Sequence, residues 1–278
     1  MDIYQKATKF YQAFQGDKRI IGKSIFARKI YAVKVGDGFP VGIAQYAIHG
    51  REFITAELAF LHARVGVFQG SLWIVPLVNP DGALLSEIGL SSVSNEKAQK
   101  RLLSLNAENK DFSLWKANAR GVDLNVNFPA RWGQGNKNVR FAGSENYIGA
   151  KPFSEPESRA LKRFTQEIKP DYTVSYHTKG EEIYWHFSQD EARRARDECL
   201  ALSLSKTTGY PLKMAKGSVG GYKDWCIDCL KIPSFTVEAG LDLFFHPIRG
   251  EGLENIWTKN KDALWELSKA FVKIDGKK

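Results

Sequence analysis

His49 and Glu52, two residues that could bind one metal ion, stand three positions apart. The apolar run of residues 41–48 precedes them and predicts a buried strand. Gly50 permits a tight turn into a helical segment, residues 51–64. An imidazole and a carboxylate at this junction can bind the same ion, and mixed nitrogen and oxygen ligands suit zinc. Because His-x-x-Glu also occurs by chance, the pair alone is weak evidence for a metal site.

A second histidine, His177, strengthens the hypothesis because it ends another predicted strand, residues 171–177. In α/β sheets, ligands gather at the carboxyl ends of strands. Together with His49 and Glu52, it makes a set of two histidines and one carboxylate that leaves a position for water. This is the ligand count of a catalytic zinc, and we expect one Zn²⁺ per chain.

Two further carboxylates could support chemistry at such a metal. Asp123 stands in a run of alternating polar residues before a proline, and it could accept the free ring N–H of a ligand histidine. Glu238 lies in the strand predicted for residues 232–240. It could take a proton from water and pass it to a leaving amine.

The elements that must position these side chains alternate along the chain. Predicted strands cover residues 29–35, 41–48, 71–78, 171–177 and 232–240, and predicted helices cover residues 2–15, 51–64, 154–168, 190–205 and 252–274. Another helix is expected to start after the glycine pair at 220–221, and Asn-Pro-Asp-Gly at 79–82 predicts a turn. The alternation favours the α/β class, with one mixed β-sheet flanked by helices on both faces.

Length and composition fit a single catalytic domain spanning residues 1–278, since 43% of the 278 residues are hydrophobic. The formal charge of +9 favours an anionic partner. Lysine and arginine are spread without a nucleic-acid motif, so we expect no nucleic acid as partner. An amino terminus without an apolar segment, and no uncharged apolar run of 18 residues, predict a cytoplasmic protein without membrane association.

The three cysteines form an odd set that fits reduced thiols. Cys226 and Cys229 have the spacing of a metal or redox pair, but no second pair accompanies them. Two small residues on a helix are therefore the favoured interpretation. His62, His186 and His246 are expected to be structural, because the zinc set is complete without them.

Taken together, these motifs resemble the zinc carboxypeptidase family over nearly the whole chain. The matching segments, in order, are His49-x-x-Glu52, Asn79-Pro-Asp-Gly82, Gly121-Val-Asp-Leu-Asn125, His177 after its strand, Gly220-Gly-x-x-Asp224-Trp and Phe235-Thr-Val-Glu238. The resemblance implies a zinc peptidase with His49, Glu52 and His177 as ligands and Glu238 as general base. It also implies that Arg51 lies near the substrate and that Asp123 lies behind His49.

The chain departs from the family at residues that normally bind the substrate. Asn125-Val126 replaces the usual Asn-Arg that binds a terminal carboxylate, and Trp115-Lys116 stands where an arginine normally polarises the scissile carbonyl. We therefore expect Lys116 to polarise the carbonyl and Asn125 to remain a substrate-binding residue. The usual mobile-loop tyrosine is replaced by Lys216.

Several segments resemble the bacterial branch that cleaves γ-D-glutamyl–diamino acid bonds in murein peptides. They are Gly121–Phe128, Ser144–Tyr147, Phe153–Glu157, Tyr176–Gly180 and Gly221–Trp225. The resemblance implies hydrolysis of the γ-D-glutamyl–meso-diaminopimelate bond in an anionic murein stem peptide. Lys223 would then line the side-chain pocket and Lys179 would steer substrate carboxylates, although both lysines could equally lie on a solvated face.

Three alternatives to this function stay open. The chain could act as a carboxypeptidase on ordinary α-linked peptides, or as a peptide-binding relative without activity. A zinc acylase of the aspartoacylase type shares the metal set, but the Asn-Pro-Asp-Gly and Gly-Gly-x-x-Asp-Trp motifs favour a peptidase. Because the three expected zinc ligands and the expected general base are all present, the inactive peptide-binding relative is disfavoured.

Overall fold

The computed structural model describes residues 1–65 and 69–276. Its strands are β1 (Lys18–Lys23), β2 (Lys29–Asp37), β3 (Val41–Tyr46), β4 (Gly70–Val75), β5 (Tyr172–His177), β6 (Glu182–Tyr184), β7 (Leu212–Lys213) and β8 (Ser234–Glu238). These strands form one eight-stranded sheet in the order β1-β2-β4-β3-β5-β8-β6-β7. The predicted α/β class with a mixed sheet is confirmed.

The centre of the sheet is parallel and its margins are mixed. Strands β4, β3, β5 and β8 run parallel to their neighbours in this set. Antiparallel pairing joins β1 to β2, β2 to β4 and β6 to β8, while β7 runs parallel to β6. The carboxyl ends of β3, β5 and β8 consequently meet at one edge of the sheet.

Helices cover both faces of this sheet. They are α1 (Ile3–Ala13), α2 (Ile54–Val65), α3 (Pro80–Ile88), α4 (Glu96–Leu105), α5 (Pro156–Ile168), α6 (Glu191–Thr208), α7 (Tyr222–Asp228), α8 (Gly250–Asn260) and α9 (Ala263–Asp275). Helices α2, α6, α8 and α9 pack on one face, and α5 and α7 pack on the other. The predicted arrangement with helices on both faces is confirmed.

The strands are apolar on both sides because both faces are covered. In β2, Val33 and Val35 belong to the core under α2 and α6, whereas Ile30 and Ala32 belong to the core under α5 and α7. The same alternation in β8 sends Phe235 towards the first core. Alternation also decides which side chains of β5 and β8 turn towards the face of α7.

The turn predicted at 79–82 is wrong, because these residues begin α3. Asn79 caps the helix by accepting a hydrogen bond from the Gly82 backbone N–H at 2.9 Å, and Pro80 takes the first helical position. Asparagine and proline favour turns and helix starts for the same local reasons, so the four residues do not distinguish the two. Burial of residues 83–86 against the core continues the chain as a helix.

Three strands and a helix break were not predicted. The sequence carries little signal for β1, which is mostly exposed, or for β6 and β7, which are only three and two residues long. The helix predicted for residues 252–274 is divided at Lys261 and Asp262 into α8 and α9. Short strands depend on their neighbours for pairing, and local patterns therefore miss them.

Cys226 lies buried in α7, and Cys229 directly follows that helix. This agrees with the interpretation of the pair as two small residues on a helix. All three cysteines are free thiols.

Throughout the described ranges, no helix is both long and apolar enough to traverse a bilayer.

Candidate metal centre and active site

Two neighbouring parallel strands bring the predicted metal-binding residues together. His49 follows β3 and precedes a single 3-10 turn, Gly50–Glu52, while His177 is the last residue of β5. Because Tyr46 of β3 pairs with Tyr176 of β5, the chain positions after both strands lie side by side. The three side chains are buried at this edge.

Their donor atoms converge. Nδ1 of His49 lies 2.9 Å from Oε1 of Glu52, and Nδ1 of His177 lies 2.9 Å from Oε2 of Glu52. The two Nδ1 atoms face each other at 3.1 Å. Zinc bonds of about 2 Å place neighbouring donors roughly 3 Å apart, so this arrangement fits the ion. No other group of His, Cys, Asp or Glu in residues 1–65 and 69–276 converges in this way.

Gly50 is required for the approach of this loop to α3. A Cβ atom at Gly50 would lie 2.4 Å from the carbonyl oxygen of Gly82 and 2.7 Å from that of Trp115. The backbone N–H of Gly50 also donates to the carbonyl of Lys116 at 2.9 Å. Asn79 adds to this junction, since its Nδ2 donates to the carbonyls of Ile48 and Ala117.

Asp123 lies behind His49, where the sequence placed it. Its Oδ1 faces His49 Nε2 at 3.3 Å, and its Oδ2 is 2.8 Å from Lys116 Nζ. The carboxyl is fully buried, which opposes ionisation, but Lys116 and His49 hold the pKa of Asp123 well below its usual range. Burial likewise opposes the charge of Lys116, and Asp123 raises the pKa of that lysine above its ordinary value. Both groups are therefore charged.

Glu238 lies next to the three ligands without joining them. It ends β8 and pairs with His177 across the β5–β8 ladder. Burial raises the pKa of Glu238 to about 7, and while the His177 side chain opposes this shift, the charge of Glu52 adds to it. A carboxyl group with such a pKa can both accept and donate a proton near neutral pH.

A cavity of about 480 Å³ opens beside Glu238. Asn125 lines it from the segment after Asp123, and its Oδ1 accepts a hydrogen bond from the backbone N–H of Tyr222 at 3.1 Å. Other charged residues line the same cavity: Glu182, Lys213, Lys216, Lys223 and Asp224.

Lys223 lines the cavity as predicted, but its ammonium group already has partners. Nζ donates to Oδ1 of Asp224 at 2.6 Å and to the carbonyl of His186 at 3.2 Å. The residue is 7% exposed and lies against the ring of Phe187. Its charge is thus compensated within the protein, which the sequence did not indicate.

Arg51 and Lys179 lie at the rim of the metal centre. Nη1 of Arg51 is 3.4 Å from Oε2 of Glu145, and Arg51 Nε is buried without a hydrogen-bond partner in the described chain. Lys179, two residues after His177, forms an ion pair of 2.9 Å with Asp242. The positive charges of Arg51 and Lys179 therefore lie near the metal centre, and their ion pairs are long or exposed to solvent.

Glu182 and Tyr184 are residues of this site that the sequence analysis missed. They belong to β6, which pairs with β8 so that Glu182 lies opposite Glu238 and Tyr184 lies opposite Thr236. The only local signal for this strand was the apolar Ile183 between the two polar residues. Three residues are too few to establish the alternation that predicts a strand.

His62 is structural, as expected. Its Nδ1 lies 2.7 Å from the hydroxyl of Tyr46, and its Nε2 lies 3.0 Å from the carbonyl of Asn260. Burial lowers the pKa of His62 to about 4. With both ring nitrogens occupied, this histidine has no free atom for a metal.

Comparison with known proteins agrees with this fold and site. A family model described as zinc carboxypeptidase matches residues 17–263, so the chain belongs to the zinc carboxypeptidase family, a family of zinc metallopeptidases. Zinc is accordingly the cofactor that His49, Glu52 and His177 fit.

Among individual relatives, gamma-D-glutamyl-L-diamino acid endopeptidase 1 of Lysinibacillus sphaericus is 32% identical over 259 residues. The match covers 86% of this chain and 64% of that protein, so the chain spans less than two thirds of its length. Murein peptide amidase A of Escherichia coli (strain K12) is 28% identical over 214 residues, which cover 72% of this chain and 82% of the relative.

Solved structures show the same fold. Bovine thrombin-activatable fibrinolysis inhibitor, in complex with tick carboxypeptidase inhibitor, superposes with a TM-score of 0.73 at 19% identity, covering 99% of this chain and 98% of that one. Murein-tripeptide amidase MpaA from Escherichia coli O157 gives a TM-score of 0.58 at 23% identity, covering 96% and 94%.

Proposed function

We propose that this protein hydrolyses the γ-D-glutamyl–meso-diaminopimelate bond of murein peptides. The observation that carries the proposal is the buried group of His49, Glu52 and His177 beside Glu238, a residue that lines a cavity with charges of both signs. The Lysinibacillus and Escherichia relatives, which act on diamino acid or murein peptides by their names, support the choice of substrate. The whole of residues 1–278 is proposed to form one catalytic domain.

Zinc, when bound, supplies Lewis-acid polarisation and lowers the pKa of water. We assign the proton transfers to Glu238, which takes a proton from the attacking water and delivers it to the leaving amine of diaminopimelate. Burial raises the pKa of this carboxyl group above its ordinary value and so favours its acceptance of the proton from water. Asp123 holds the ring of His49 in orientation through its Oδ1, and its other oxygen holds Lys116.

Lys116 is assigned to the scissile carbonyl. Its charge is stabilised by Asp123, and its side chain is only 17% exposed. A lysine is a point charge without the planar fork of arginine, and it can stabilise a developing oxyanion. We further assign substrate-binding roles to four residues: Arg51, Asn125, Lys179 and Lys223. Lys223 would contribute as part of its ion pair with Asp224, which lines the cavity.

Val126 offers no cation for the terminal carboxylate of a substrate, so substrate recognition is assigned to other groups of the site. A carboxypeptidase must pair the terminal carboxylate of its substrate, since an unpaired buried charge is costly. At this position the chain offers only an apolar side chain.

A cytoplasmic location is also proposed, because three free thiols suit a reducing compartment.

The test is a digest of L-Ala-γ-D-Glu-meso-diaminopimelate by the zinc-loaded protein, with products identified by mass. Release of free meso-diaminopimelate together with L-Ala-D-Glu is the expected result. An N-acylated dipeptide with an ordinary α-linkage serves as the comparison substrate. Faster cleavage of that dipeptide would favour the α-linked carboxypeptidase instead, and no cleavage of either would favour the binding protein.

A further inference from the structure

One wall of the cavity is a single face of the strands β8, β6 and β7. Ile183 points into the core under α6, and its neighbours Glu182 and Tyr184 therefore point to the opposite face of the sheet. Glu182 pairs with Glu238, and residues directly opposite in an antiparallel pair have Cβ atoms roughly 5 Å apart. Lys213 pairs with Tyr184 and extends the same wall. The carboxylate of Glu182 thus stands next to the proposed proton-transfer residue, and Lys213 lies farther along the same wall.

Glu182 retains a free acceptor atom. Its Oε2 accepts a hydrogen bond from the hydroxyl of Tyr184 at 2.7 Å. Its Oε1 lies 3.6 Å from Nζ of Lys213, which is too far for a hydrogen bond. The side chain of Glu182 is 30% exposed. Oε1 can therefore accept from a ligand that enters the cavity.

The other carboxylates of the cavity are already engaged. Asp224 accepts from Lys223 at its Oδ1 and from the Gly221 backbone N–H at its Oδ2. Glu238 lies against the metal ligands. Of the acids in this cavity, Glu182 is consequently the best placed to bind a cationic group.

Two lysines of the cavity are exposed, and the charge of neither is held in a close ion pair. Lys213 is exposed and makes only the 3.6 Å contact with Glu182. Lys216 is exposed as well, and among the described residues it has no hydrogen-bond or ion-pair partner. Lys223, in contrast, is neutralised by Asp224. Of the lysines that line this cavity, Lys213 and Lys216 are therefore the ones whose charges are most available to a ligand.

We propose that this cavity binds a substrate side chain that ends in both an ammonium and a carboxylate group, with Glu182 binding the ammonium and Lys213 and Lys216 binding the carboxylate. The proposal rests on the proposed function and makes it more specific. A side chain with an amine alone would compete with Lys213 for Glu182 and would meet the charge of Lys216, and one with a carboxylate alone would draw Lys213 away from Glu182 beside Glu238. Only the zwitterion satisfies both groups, and the terminus of meso-diaminopimelate is such a group.

The experiment compares three peptides that differ only in the last residue of L-Ala-γ-D-Glu-X. X is meso-diaminopimelate, L-lysine, which lacks the distal carboxylate, or L-2-aminopimelate, which lacks the distal amine. We expect the zinc-loaded protein to have its highest kcat/KM on the first peptide. Charge-assisted hydrogen bonds of this kind are worth about 10- to 100-fold each.

Two variants separate the two halves of the subsite. Glu182→Gln is expected to lower kcat/KM for the diaminopimelate peptide about 10- to 100-fold and to leave the aminopimelate peptide unchanged or improved. Lys213→Gln is expected to lower the diaminopimelate and aminopimelate rates while sparing the lysine peptide. Glu191→Gln, at the exposed start of α6, is the matched control and should change none of the rates. Zinc content and circular dichroism verify that each variant is folded and loaded.

The outcomes distinguish this inference from the proposed function. If wild-type protein cleaves none of the three peptides, the proposed function fails and the subsite fails with it. If it cleaves the diaminopimelate peptide but Glu182→Gln slows the diaminopimelate and aminopimelate peptides equally, the function stands and the role of Glu182 is refuted. Calorimetric binding of free meso-diaminopimelate, reduced in folded Glu182→Gln, gives a readout without turnover.

Discussion

Three side chains account for metal binding at the residue scale, and each can be removed singly. Because His177 provides a donor nitrogen and is 1% exposed, His177→Ala leaves only two ligands and a cavity that water can enter. We expect about one zinc per chain in the wild-type protein and a sharp loss in the variant, measured by metal analysis after dialysis. His62→Ala, which removes another buried histidine, is the control and should retain zinc.

Glu238 is assigned proton transfer rather than metal binding, and the glutamine variant separates these roles. Glu238→Gln keeps the shape of the side chain but cannot accept a proton. The expected loss in kcat is on the order of 10² to 10⁴, with zinc content and folding unchanged. Loss of zinc together with activity would show that Glu238 is a ligand.

Lys116 contacts Asp123 and is assigned to the scissile carbonyl. Lys116→Ala should lower kcat on the order of 10², since it removes the charge that stabilises the developing oxyanion. Lys116→Arg restores the charge and should recover part of the rate, whereas a purely structural role in holding Asp123 would be revealed by reduced zinc content. An unchanged kcat would show that Lys116 does not act on the carbonyl.

At the scale of elements, the segment that carries Lys116 and Asp123 is held by buried acids at the start of α5. Asn118 donates from its Nδ2 to Glu155 at 2.9 Å and to Glu157 at 3.2 Å. Burial raises the pKa of Glu157 to about 8, and the nearby charges of Asp81 and Glu155 add to this shift. The protonated acid is thus part of the folded structure at neutral pH.

This raised pKa makes stability depend on pH. Between the ordinary pKa of 4.5 and about 8, the folded state binds a proton at Glu157 that the unfolded state has released, so the free energy of unfolding falls as pH rises through this window. Glu157→Gln is neutral at every pH and should lose that dependence. Urea unfolding at pH 5, 6.5 and 8.5 measures it, with the exposed Glu251→Gln as control. Equal pH dependence in wild type and Glu157→Gln would contradict the assignment.

At the scale of the whole molecule, the formal charge of +9 should accelerate encounter with an anionic peptide. We expect kcat/KM for the murein tripeptide to fall severalfold as the ionic strength rises from about 0.01 to about 0.15 M, because the Debye length shortens from about 30 to about 8 Å. The value of kcat should change little. An uncharged peptide with the same scissile bond is the control, and a similar salt effect on both substrates would exclude steering.

The sequence alone determined the metal ligands, because their residue types are demanded by zinc chemistry and their positions follow apolar strands. His49, Glu52 and His177 could be assigned from strand ends, spacing and the accompanying motifs, and the alternation of predicted strands and helices indicated the mixed sheet with helices on both faces. These features are local, or they are repeated often enough to be read from a linear pattern.

Only the tertiary structure decided what surrounds those residues. The pairing of Lys223 with Asp224, the three-residue strand that brings Glu182 beside Glu238, and the capping of α3 by Asn79 depend on how the chain packs around them. A charge in the sequence carries no information on whether a partner neutralises it, and a short strand forms only when its neighbour supplies the hydrogen bonds. The metal ligands could therefore be recognised from their residue types, whereas packing determined which charges of the cavity are available to a substrate.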